Sequence, residues 1–201
     1  MPGVAEATPA HRFLREQTRD AHEAAEATTG MRRLMDGQLD AEGYRALLGA
    51  QLALFRRWEG ERGEWLEAIR DRWHYASRAT PLETDLCRSA SCARSTIATS
   101  GHRAQARSYN GSEPSYWGEL YVIEGSSLGA RVIVKRLRAM FPDHPHHYYA
   151  MGETSPTDWR RFQATLDNAL PDDNARRQAL DGACAMFARF QQTLEDPVAH
   201  V

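Results

Sequence analysis

Residues 119–135 read ELYVIEGSSLGARVIVK, a long apolar helical stretch with Gly125 and Gly129 four residues apart. Positions i and i+4 lie one above the other on a helix, so both glycines remove side chains from the same face. Each costs the helix up to about 1 kcal/mol relative to alanine. Two structural demands explain such a pair. A neighbouring helix can press its backbone against the stripe, or a flat ligand can. Ser126 and Ser127 add hydroxyls that can bond back to carbonyls one turn earlier and help the helix bend.

Helical periodicity continues on both sides of this segment, and strand signals are sparse. Residues 8–28 open with Thr8 as N-cap and Pro9 at the first helical position, with an apolar stripe of Phe13, Leu14, Ala21 and Ala25. A second helix starts after Asp40 with Tyr44, Leu47, Leu48 and Phe55, and the pattern continues through Trp65, Leu66, Ile69 and Trp73. Pro114 opens the glycine-bearing helix, which stops near Phe141-Pro142. Ser155 caps a helix carrying Trp159, Phe162 and Leu166. A last helix follows PDDN and carries Leu180, Ala183, Phe187, Phe190 and Leu194. The expectation is an all-α single domain of about six to eight helices over residues 9–196, with a flexible 1–8 and a tail at 197–201. Residues 87–113 fit least well. They are rich in Ser, Arg, Ala and Thr and read as a short helix followed by a long surface loop.

Composition sets bounds on function. The 201 residues carry a formal charge of −2, which argues against a general nucleic-acid or membrane-surface binder. Lys135 is the only lysine in an arginine-rich chain. The three cysteines form no C-x-x-C motif, and the N-terminus lacks a basic-then-apolar leader pattern. A reduced, cytoplasmic location is therefore expected.

His22 lies on the first helix between Thr18 and Glu26, on a largely apolar face. It reads either as a core or boundary histidine or as an iron ligand. A ligating imidazole needs a partner on its other nitrogen, and Glu26 at i+4 is placed to supply one. Asp71-x-x-His74 and Asp143-x-x-His146 have the carboxylate–histidine spacing of di-iron bundles. Pro145 breaks the helix that the second motif needs, and no matching glutamate pair stands out.

LREQTRDAHEAAE at 14–26 and LYVIEGSSLGARVIVKRL at 120–137 together resemble the heme oxygenase family, closest to bacterial members, including those that supply biliverdin to bacteriophytochromes. Residues 30–59 are also similar to the family's second helix. The resemblance implies heme held between a proximal helix bearing His22 and a distal helix kinked at Gly125–Gly129. It implies His22 as the iron ligand, Glu26 as its orienting partner, and Gly125, Ser126 and Gly129 as the distal catalytic segment. Arg15, Arg19 and Lys135 become propionate partners, with Tyr116 and Arg131 weaker candidates, and Met31 becomes a further heme contact. Taken individually, each arginine reads first as a solvated surface charge. The implied reaction converts heme to biliverdin, iron and carbon monoxide. It uses O2 and electrons from a separate donor such as a ferredoxin or a flavoprotein reductase, since the chain has no flavin or nicotinamide motif. Ser126 stands where animal-type members carry an aspartate, a departure shared with bacterial members. A heme carrier without catalysis, and a non-heme iron protein of the same fold, remain open on the sequence.

Overall fold

The computed structural model describes residues 8–91, 111–153 and 156–195, and no strand occurs among them. The order is α1 (Ala10–Gln17), α2 (Arg19–Glu26), α3 (Thr29–Met35), α4 (Ala41–Ala68), α5 (Ala79–Ser91), α6 (Glu113–Met140), α7 (His147–Ala150), a 3-10 turn (Met151–Glu153), α8 (Pro156–Ala169) and α9 (Asp173–Glu195). The all-α expectation holds. The described helices outnumber the expected six to eight because Thr18 divides the first and because α3, α5 and α7 form separate short pieces. The expectations for residues 1–7, for the Ser155 cap, for most of 87–113 and for the 197–201 tail fall outside the described residues.

Local chemistry sets the boundaries. Asp40 caps α4 by accepting from the Gly43 N–H at 2.7 Å, and Asp172 caps α9 by accepting from the Ala175 N–H at 2.8 Å. Gly37, at φ +70°, ends α3 in the left-handed conformation. Its N–H reaches the Leu34 carbonyl and the Gln38 N–H reaches that of Arg33, which satisfies the last carbonyls of the helix.

Helices α6 and α9 form the central pair, with α4 and α8 packed around them. Glycines allow the close approach. A β-carbon at Gly118 would collide with the Ala179 carbonyl, and one at Gly182 with the Ser115 carbonyl. The contact is reciprocal, with each helix supplying one glycine to the other's backbone. Carboxylates on α6 supply the remaining ties. Glu119, 4% exposed, accepts from Trp58 Nε1 at 2.8 Å and from Arg62 Nε and Nη2 at 2.8 and 2.9 Å. One turn further on, Glu124 accepts from Arg78 Nη2 at 2.8 Å and Trp73 Nε1 at 3.1 Å. A buried ion pair contributes little relative to apolar packing, but removing one partner strands the other charge.

Candidate functional site

Beyond Glu124 the character of α6 changes. Among the described residues, no atom beyond the local helix backbone lies within 4 Å of where a Gly129 β-carbon would be, and at Gly125 the nearest such contact is the edge of the Trp159 ring at 3.4 Å. Neither glycine is required by packing inside the chain, in contrast to Gly118 on the same helix. Leu128 and Val132 are the large apolar side chains left exposed among the described residues, at 46% and 60%. With Gly125 and Gly129 they follow i, i+3, i+4, i+7 spacing, so one open apolar face is cut by a groove lacking side chains. Trp73, Leu128, Arg131, Trp159 and Arg161 line a separate cavity of about 170 Å³ beside it.

The helix expected to kink here keeps its α-helical backbone without a break from Glu113 to Met140. Ser126 Oγ donates to the Ile123 carbonyl at 2.7 Å, so its proton is engaged within the helix.

His22 lies on α2. Thr18 separates this helix from α1, and its buried hydroxyl donates to the Leu14 carbonyl at 2.8 Å. The His22 side chain is 58% exposed, which removes the core-histidine reading. Its Nδ1 lies 3.8 Å from Glu26 Oε2, within ion-pair range but too far for a hydrogen bond. The ring stands edge-on to Phe187 of α9, centroids 5.8 Å apart and planes at 80°. Helices α2 and α6 both pack on α9 and make little contact with each other, so α9 forms the floor between them. Arg15, exposed on α1, lies near enough to Tyr121 of α6 for its charge to oppose the upward push that burial gives the phenol pKa.

The other expected residues divide between this region and elsewhere. Arg19 and Lys135 are exposed, and Arg19 lies 3.6 Å from Asp20. Met31, on α3, is half-buried and packs against the core. Tyr116 lies on the opposite side of α6 from Gly125, because nine residues bring a helix half a turn out of phase. Its ring sits under the Arg62 guanidinium at 4.1 Å and edge-on to Trp65 at 5.5 Å, so it does not line the open face. His146 uses both ring nitrogens internally, with Tyr44 Oη at 2.8 Å and the Phe141 carbonyl at 3.0 Å. Among the described residues no group of three or more His, Cys, Asp or Glu side chains is placed to hold a metal ion. No described helix is long and apolar enough to cross a membrane.

Sequence reasoning assigned Phe187 to the core and did not single out Leu128, Val132 or Gln191. Their i, i+4 spacing, sharing one helix face with Gly125 and Gly129, was the available signal for the first two.

Known proteins share the sequence pattern and the fold of this chain. The heme oxygenase family model matches residues 8–196. A heme oxygenase of Xanthomonas campestris pv. campestris (strain 8004) is 36% identical over 167 residues, covering 82% of this chain and 96% of the relative. Among solved structures, heme oxygenase from Leptospira interrogans superposes with a TM-score of 0.75 at 18% identity, covering 94% of this chain and 100% of that one. Heme oxygenase-1 from the cyanobacterium Synechocystis sp. PCC6803, in complex with heme, gives 0.73 at 18% identity, covering 96% and 93%. These structural likenesses establish the fold, and the sequence matches establish the lineage: the chain belongs to the heme oxygenase family and is an enzyme of that family.

Proposed function

We propose that this chain binds heme between α2 and α6 and converts it to biliverdin, iron and carbon monoxide, with O2 and electrons from a separate ferredoxin or flavoprotein reductase. The observation that carries the proposal is the open space beside Gly129. The helix accepts the glycine's cost there without a close contact among the described residues to offset it.

The residues present fit the group. Heme needs a neutral nitrogen donor, an apolar flat surface and cations for two carboxylates. His22 is exposed, and with Nδ1 turned towards Glu26 its Nε2 is left as the iron ligand. Leu128 and Val132 offer apolar surface that ligand burial would remove from water. Arg15, Arg19 and Lys135 are exposed cations on the flanking helices, and among the described residues Arg15 and Lys135 have no ion-pair partner. Bound heme supplies the iron that binds and reduces O2 and the meso carbon that is oxidised.

The chain's share is placement and exclusion. Gly125 and Gly129 keep the space above the ring free for O2. Leu128 and Val132 keep water from that side. The Ser126 hydroxyl proton is held on the Ile123 carbonyl, so Ser126 acts through the helix backbone and not as a proton donor. Met31, half-buried on α3, is the further heme contact that family membership suggests. Similarity to members that supply bacteriophytochromes extends the proposal to such a biliverdin acceptor.

The test is direct. Hemin is added to the purified protein, then a reductant under air, and the spectrum is followed. A Soret band that decays into broad red biliverdin absorption supports the proposal. A Soret band that persists refutes turnover and leaves a heme carrier, and no Soret band refutes heme binding. His22→Ala should lose turnover, with added imidazole partly restoring the heme spectrum.

A further inference from the structure

Resting on that reading, we infer that Gln191 of α9 is a positioning residue for the iron ligand, holding α2 at the height and rotation that present His22 to the heme.

Helix α2 is weakly anchored. It is eight residues long and none of its side chains is buried. Ala21 and Ala25, half-buried, supply its main apolar packing, and alanine methyls fix rotation poorly. Thr18 departs from helical geometry, with φ −100° and ψ 6°, and only the Thr18 N–H to Leu14 and His22 N–H to Thr18 carbonyl bonds carry the ladder across, so α1 constrains the rotation of α2 loosely. Glu26, at 3.8 Å and itself 68% exposed, makes no hydrogen bond to the His22 ring. Rotational precision must come from elsewhere.

Gln191 supplies it. Its Nε2 donates to the Ala21 carbonyl at 3.0 Å, across two helices and in a half-buried setting. Ala21 directly precedes His22, so the bond pins the peptide that carries the ligand. Phe187 is one turn before Gln191 on the same face of α9, and its ring meets the His22 imidazole edge-on. One helix face thus fixes the ligand twice, the backbone through Gln191 and the ring plane through Phe187. The effect passes through His22, because the Gln191 bond is made to the Ala21 carbonyl.

The experiment uses the heme-loaded protein and its apo form. Gln191→Met keeps size and removes the donor, and Gln191→Lys restores an N–H donor. The readouts are the iron–imidazole stretching band of the ferrous protein, the rate of heme loss to an excess of scavenger, and the apo-protein melting temperature. Gln191→Met should shift or broaden the band and speed heme loss about 2- to 10-fold, the factor for one hydrogen bond. Gln191→Lys should return both towards wild type. A purely structural bond would lower the apo melting temperature and leave the band in place, and that result overturns the inference. His22→Ala separates the two levels. A band lost there but unmoved in Gln191→Met defeats only the positioning role. A band retained in His22→Ala defeats the ligand assignment beneath it.

Discussion

Replacing Gly129 with alanine separates the two explanations of the glycine pair more cleanly than any other change. A β-carbon there meets no atom within 4 Å, so the methyl enters free space and strains nothing in the apo-protein. The helix gains intrinsic propensity of up to about 1 kcal/mol. For a domain of this size that raises the melting temperature by up to about 4 °C. The same methyl would occupy volume needed by O2 above the heme, so biliverdin formation per heme-loaded molecule should fall. Gly118→Ala is the control on the same helix. Its β-carbon would collide with the Ala179 carbonyl, and overpacking of this kind costs about 1–3 kcal/mol. That variant should melt lower and turn over normally per folded molecule. The assay is apo-protein thermal unfolding alongside the rate of biliverdin formation at saturating heme. If Gly129→Ala melts as low as Gly118→Ala, or stays wild-type in rate while folded, the reasoning about the open face is refuted.

Two further predictions concern the scaffold. Glu119→Gln should destabilise the fold by about 3–5 kcal/mol, since Arg62 is 2% exposed and would lose the carboxylate that both its Nε and Nη2 donate to, as chemical denaturation would show. His146 should make stability fall in mild acid. Burial pushes its pKa below the ordinary 6.5, against the opposing pull of its bond to the Phe141 carbonyl. Below 6.5 the unfolded chain takes up a proton that the folded imidazole refuses. The stability contribution is therefore complete above 6.5 and declines as pH falls towards the folded-state value. His146→Gln should flatten the slope of unfolding free energy against pH in that window, and an unchanged slope would place the titration elsewhere.

The sequence alone determined what depends on neighbours a few residues away. Asp40 and Gly37 bound their helices through bonds made within five residues. The 3.6-residue period of Tyr44, Leu47, Leu48 and Phe55 marked a buried face before any partner was known. The motifs around His22 and Gly125–Gly129 were legible for the same reason, as spacing along one helix. Thr18 shows where this runs out, because its back-bond to Leu14 divides a pattern that reads as one continuous helix. Only the tertiary structure decided what each face meets. Gly118 and Gly129 are alike on the page, yet one is filled by the Ala179 carbonyl and the other opens to free space. Glu119 and Glu124 look like solvated helix charges until Trp58, Arg62, Trp73 and Arg78 close over them. Gln191 reads as an ordinary polar helix residue until it reaches the carbonyl beside His22, 170 positions away in the chain. Periodicity fixes the direction a side chain takes from its own helix, whereas the partner waiting there is set by the packing of helices far apart in sequence.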